Sequence, residues 1–246
     1  MKKQLKPATL FLTVGLLWLS TIIALGLTSN PTNIRPVTIT EKNTKRTNEA
    51  IDVNLKTPVL KNVNNIGIKK KINTLFQADS DNFLKPLEQD AIKYLADTQK
   101  NPVLHFNKYS AYSTYKVGYN KNNILSIPVR YYQYTGGANG LEVQEGYNFN
   151  LKTGKRLQLS DLFEKGFDYK KVLSSEVQKQ MNAHKEIYFE EAFKNFKQID
   201  GKHPYYLANG NLVIFYGPYD IAPHAAGIPE FKIPFSKLKF AKTFNF

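Results

Sequence analysis

The chain has 246 residues, 42% apolar and 13% aromatic, enough for the core of one generous domain or two small ones and too many for full-length disorder. It has no cysteine, which excludes disulfide scaffolds, thiolate zinc sites, iron–sulfur clusters and thiol nucleophiles. Thirty-four Lys and Arg against 20 Asp and Glu give a net charge of +14, an excess that favours polyanions without choosing among nucleic acid, lipid headgroups and wall polymers.

Residues 1–6 carry Lys2, Lys3 and Lys6, and no charged side chain follows from Pro7 to Thr28. As a helix, residues 7–28 would reach about 33 Å, sufficient for a hydrocarbon core about 30 Å thick. Two readings stand: an uncleaved membrane anchor, or a signal peptide cut near Gly26 with Ala24 and Gly26 as its small-residue exit. In the first, the basic flank 1–6 stays in the cytoplasm and the bulk of the chain lies outside. A lipid-anchored form is excluded because there is no cysteine to acylate, and an external location disfavours nucleic acid. Residues 29–48, polar and bearing Pro31 and Pro36, read as a tether.

Ile51, Val53 and Leu55 alternate as in a strand that ends near Pro58. Helical spacing follows through Ile72, Leu75, Phe76, Phe83, Leu87, Ala91 and Leu95. Asn62 is the expected cap, and Pro86 is expected to kink or split the helix. Strands are expected over 112–119, 124–134 and 141–151, with a turn at 120–123. Ser160 and Asp161 suit a short helical turn, and Asp168 a longer helix carrying Leu173, Val177 and Met181. Phe189, Phe193 and Phe196 mark a further helical face. Asn209-Gly210 between apolar runs signals a hairpin, and residues 228–235, with Pro229 and Pro234, read as an edge strand. The expected fold is α+β, antiparallel sheets with segregated helices behind one N-terminal apolar helix. The expected parts after the tether are 49–120 and 121–246.

Four segments then acquire a common meaning. They are Tyr132-Gln133-Tyr134-Thr135-Gly136-Gly137-Ala138-Asn139-Gly140, the run 148–155, the run 157–163, and Tyr219-Asp220-Ile221-Ala222-Pro223-His224 continuing to Phe231. In this order they resemble the RsiV-like extracytoplasmic domain, named for the anti-sigma factor of sigma-V. Residues 50–120 resemble the companion domain found before it, and before the deacetylase module of PdaC. The resemblance implies an outer domain of the kind known as a lysozyme receptor in the anti-sigma member. In the deacetylase it implies domains that accompany catalysis located elsewhere. This chain departs from the family at Asn139, where a histidine is usual, and at His224, where a tyrosine is usual. With six residues ahead of the apolar segment, the sigma-binding role is not expected to transfer.

The residue chemistry points away from an enzyme. The four histidines, His105, His184, His203 and His224, lack the helical pair spacing of a zinc site, and there is no Gly-x-Ser-x-Gly elbow or phosphate-binding glycine loop. No metal site, cofactor or catalytic residue is therefore assigned. Glu142 and Glu145 should face opposite sides of their strand, leaving Asp220 and Glu230 as the acid pair a glycan hydrolase would have to bring together. The candidate binding residues lie on two loops: Tyr134, Thr135, Gly136, Gly137 and Asn139 on one, and Tyr219, Asp220, Pro223 and His224 on the other. Glycines expose backbone amides, and prolines stiffen a loop that displays Tyr219 and His224. The expected activity is noncatalytic recognition at the envelope, of a wall glycan, an anionic wall polymer or a protein ligand. The rivals are a peptidoglycan-directed hydrolase and a lysozyme-binding inhibitor without signalling.

Overall fold

The computed structural model describes residues 36–246 except 102, 104 and 245, so the expected flank 1–6, the anchor 7–28 and the start of the tether lie outside the described residues. Among the described residues no helix is long and apolar enough to cross a membrane.

The end of the expected tether is a strand. β1 (Ile39–Thr47) pairs antiparallel with β2 (Ile51–Leu60), from Ile39 opposite Leu60 to Thr47 opposite Asp52. Its sequence lacks apolar alternation because it forms a sheet edge, where polar and basic side chains discourage pairing with another chain. Asn48 shapes the connection, its Oδ1 accepting from the N–H groups of Ala50 (2.8 Å) and Ile51 (2.9 Å). In β2 the expected Ile51, Val53 and Leu55 are buried.

α1 (Ile66–Lys100) is one continuous helix of 35 residues. Asn65 caps it, accepting from the Ile68 N–H at 3.0 Å, while Asn62, the expected cap, accepts from the Thr38 N–H instead. Pro86 does not split the helix. It lies on an exposed stretch, and Ile72, Phe76, Leu84, Leu87 and Ala91 stay buried on either side of it. That apolar stripe holds the helix across the lost hydrogen bond.

α1 also explains why the sheet is not purely antiparallel, as was expected. β3 (Tyr109–Tyr115) lies parallel to β2, and parallel neighbours need a long crossover, which the helix supplies. The segment read as one strand over 112–119 divides into the end of β3 and β4 (Tyr119–Lys121), both paired with β5 (Ile124–Tyr134). The break falls opposite Pro128, which has no N–H for the ladder and only accepts, from the Lys116 N–H at 3.1 Å. β6 (Leu141–Asn150) and β7 (Lys155–Arg156) complete a seven-stranded sheet in the order β1-β2-β3-β5-β6-β7, with β4 beside β5. Residues 49–120 and 121–246 therefore both contribute strands to one sheet.

β5 and β6 are covered on both faces. On one, Leu125, Ile127, Tyr147 and Phe149 pack with Ile72 and Phe76 of α1. On the other lies a second layer built from α2 (Tyr169–Ala183), α3 (Glu190–Lys194), β8 (Tyr205–Ala208), β9 (Asn211–Phe215) and β10 (Glu230–Pro234). Its core joins Leu173, Val177 and Met181 of α2 to Leu207, Leu212, Ile214 and Ile233. Asp168 caps α2 as expected, and Asn209 and Gly210 turn β8 into β9 with φ of +49° and +75°. The three strands run β10-β9-β8, with β10 at the expected edge. Of the phenylalanine run 189–196, only Glu190–Lys194 is helical.

The two layers meet through a polar clamp. The backbone of β8 reaches the large sheet where Gly118 and Gly146 carry no side chain: a methyl group would collide with the Leu207 carbonyl at the first and the Tyr205 carbonyl at the second. Asn148 Nδ2 donates to the Tyr205 carbonyl (2.8 Å), the Leu207 N–H donates to Ser126 Oγ (2.8 Å), and that hydroxyl donates to Asn148 Oδ1 (2.6 Å). Side chains of β5 and β6 thus do for the free edge of β8 what a neighbouring strand would do.

Candidate functional site

The sheet delivers the first candidate loop. β5 ends at Tyr134, opposite Ser110 of β3, and residues 135–140 cross to β6. Gly136 takes φ +86° and its carbonyl accepts from Asn107 Nδ2 at 2.9 Å, which pins the start of the loop to the segment after α1. That segment is held in turn by Tyr94, whose hydroxyl donates to the His105 carbonyl at 3.0 Å. Gly137 has open space where a side chain would stand, and Thr135 and Asn139 are exposed. Gly140 abuts the ring of Tyr132 so closely that any side chain there would run into the phenol. Tyr132 stacks on Tyr112, ring centroids 5.9 Å apart and planes 12° apart.

The second loop leaves β9 and returns to β10. Asp220 Oδ2 accepts from the Gly217 N–H at 2.7 Å and closes a tight turn that forces Tyr219 to φ +64°. Pro223 begins a single 3-10 turn, His224–Ala226, its carbonyl accepting from the Ala226 N–H at 2.9 Å. His224 Nε2 donates to the Gly140 carbonyl at 2.9 Å. The two loops are joined by that bond. The Tyr219 ring, 56% exposed, lies 6.0 Å from the His224 ring and projects beside the junction.

The structure therefore brings Gly140, Tyr219 and His224 together, with Gly137 and Asn139 on the exposed part of the same loop. Asp220 serves the turn and borders a separate hollow. Asp220 and Glu230, the expected acid pair, are each engaged by their own donors. Glu230 Oε1 accepts from Arg130 (3.1 Å) and Gln144 (3.0 Å), and its Oε2 from the Tyr206 hydroxyl (3.0 Å). Arg130 also reaches Glu142 at 3.5 Å, while Glu145 pairs with Arg156 at 3.2 Å on the opposite face, as alternation requires. Burial and the neighbouring Glu230 charge push the Tyr206 hydroxyl well above its ordinary pKa, so it stays a donor. Among the described residues no group of three or more His, Asp or Glu is placed to hold a metal ion.

Sequence reasoning missed Tyr132, Asn107 and the Arg130–Glu230 pair. Tyr132 carried a usable signal: it lies two residues before Tyr134, on the same strand face. Asn107 and the ion pair depend on long-range pairing and left no local mark.

Comparison with known proteins gives two family matches along the chain. The family described as "Deacetylase PdaC" matches residues 44–142, and a protein family of unknown function, DUF3298, matches residues 160–236. The anti-sigma-V factor RsiV of Bacillus subtilis (strain 168) is 28% identical over 209 residues, 82% of this chain and 68% of that protein. The chain is RsiV-like, with a PdaC-type domain. Two solved structures share the fold of this RsiV-like chain, both at 20% identity. A DUF3298 family member from Bacteroides fragilis superposes with a TM-score of 0.63, over 84% of this chain and 94% of that one. One from Pseudomonas aeruginosa PAO1 gives 0.59, over 85% and 96%.

Proposed function

We propose that this RsiV-like chain is a noncatalytic recognition module of the bacterial envelope, held outside the membrane by residues 7–28, and that the joined loops hold its ligand. The bond from His224 to the Gly140 carbonyl carries the reading, because it makes one surface of two loops that are 84 residues apart in sequence. An exposed aromatic ring beside open glycine backbone suits a sugar ring or a flat protein edge, and both loops are pre-formed, so little entropy is lost on docking. The excess of basic residues selects a wall glycan or an anionic wall polymer over a strongly basic protein such as lysozyme.

Incubation of the purified chain with wall sacculi and, separately, with lysozyme at physiological salt tests this. Retention on sacculi without soluble products, lost in His224→Ala and Tyr219→Ala, is the expected result. Release of soluble fragments, abolished by changing one carboxylate, would replace the binder with a hydrolase, and retention of lysozyme alone would replace the wall ligand with a protein.

A further inference from the structure

Behind the second loop, Asp220 and Ile221 border a hollow of about 640 Å3 that none of the joined-loop contacts uses. Its lining includes four aromatic residues, Phe189, Phe196, Phe215 and Tyr216. Three exposed carboxylates stand around it, those of Glu191, Asp200 and Asp220, against a single lysine, Lys197. Among the described residues no Lys or Arg lies within salt-bridge distance of any of the three, in a chain whose cations greatly outnumber its acids. Neighbouring Glu190, outside the hollow, is paired with Lys194 at 3.2 Å.

Two of the carboxylates are set rather than loose. Asp200 Oδ1 accepts from the Lys202 N–H and Asp220 Oδ2 from the Gly217 N–H, both at 2.7 Å, which leaves the other oxygen of each for a ligand. His203, its ring 4.8 Å from that of Tyr216, also lines the hollow. Burial holds its imidazole below the usual histidine pKa, so at neutral pH it adds no positive charge to the site. The acids do not converge on one point as metal ligands would. They share the hollow with its aromatic lining.

We propose that this hollow binds an extended organic cation, an apolar stem ending in an ammonium or guanidinium group, as in a free diamine or a lysine or arginine side chain. Aromatic faces attract the cation and cover the stem, and the rim carboxylates draw it in and fix its head. The inference goes beyond the reading of the joined loops, with which it shares only Asp220.

The test is a titration of the full chain, followed by NMR or calorimetry, with cadaverine, an end-blocked lysine peptide and pentanol. Cadaverine or the peptide is expected to bind at least about tenfold more tightly than pentanol. The pair Glu191→Gln and Asp200→Asn, both at exposed positions, should lower cation affinity about tenfold and leave pentanol unaffected. Phe196→Ala should weaken all three probes, and Tyr219→Ala should change none of them, which separates failure here from failure at the joined loops. Preference for cadaverine identifies a free amine as the source of the cation and preference for the peptide a protein-borne one; either supports the site. Equal affinity for pentanol and the cations, unaltered cation binding in the double variant, or no binding of any probe would overturn it.

Discussion

Tyr219 is the residue where conformation and the proposed ligand contact pull apart. It is not glycine, yet it sits at φ +64°, a region that costs an ordinary residue about 1–2 kcal/mol, and its ring is too exposed to regain that by burial. Tyr219→Gly is therefore expected to hold stability or raise it by about 1 kcal/mol, a few degrees in thermal midpoint, while ligand retention is lost. A midpoint lowered by several degrees would show that the ring has a structural role. His203 gives a second prediction with a definite sign. Its pKa is lowered from 6.5 by burial, so its neutral form contributes to stability above that value, and the contribution is lost as pH falls below it. His203→Gln should flatten the acid side of a plot of denaturation midpoint against pH. At this scale the turns that shape the candidate site were legible. Gly136, Asp220 and Pro223 announce turns by local backbone preference, whereas the bond between His224 and Gly140 depends on how β5, β6 and β9 stack and has no local signature.

Among the elements, the contact between β8 and the large sheet is the most exacting. Gly146→Ala would drive a methyl group into the Tyr205 carbonyl and force the layers apart, at a cost of about 3 kcal/mol. Ser126→Ala would strip the Leu207 N–H of its acceptor in a buried place and cost about 1–3 kcal/mol. Urea denaturation of both variants checks the pair, and wild-type midpoints would mean that the layers slide past one another freely. The Asn209-Gly210 hairpin, the Asp168 cap and the buried face of α1 were all readable from sequence. β1 was not, because an edge strand needs no apolar alternation. The parallel pairing of β2 with β3 was not either, since only the position of α1 between them decides it.

For the molecule as a whole, the mixed α+β architecture followed from composition and periodicity. The sharing of one sheet by both halves did not, because strand order is a property of pairing rather than of any segment. The distribution of tyrosines has a thermodynamic result. Burial pushes the hydroxyls of Tyr109 and Tyr216 up from 10.0 to about 12, and those of Tyr147, Tyr205 and Tyr206 higher still. Folded-state values above the unfolded one mean that this stabilisation is complete below a pH of about 10 and is lost as pH rises through about 12. The denaturation midpoint should fall across that window together with the appearance of tyrosinate absorbance, and a flat midpoint would contradict the burial of these rings.

The register of the sheet also determines how the molecule bears tension. The chain joins β1 at Ile39, opposite Leu60, while the candidate loop leaves Tyr134, which pairs through Ser110 with Asp52 at the other end of the strands. A pull between residue 36 and a ligand on that loop would load the β1–β2 ladder lengthwise, so that its bonds resist together; a pull between residues 36 and 61 would unzip them one at a time. A chain without native thiols allows handles to be attached at will. Stretching Pro36→Cys/Gly137→Cys should accordingly rupture at a higher force than Pro36→Cys/Lys61→Cys, giving a fastening that is strong along the strands and weak across them.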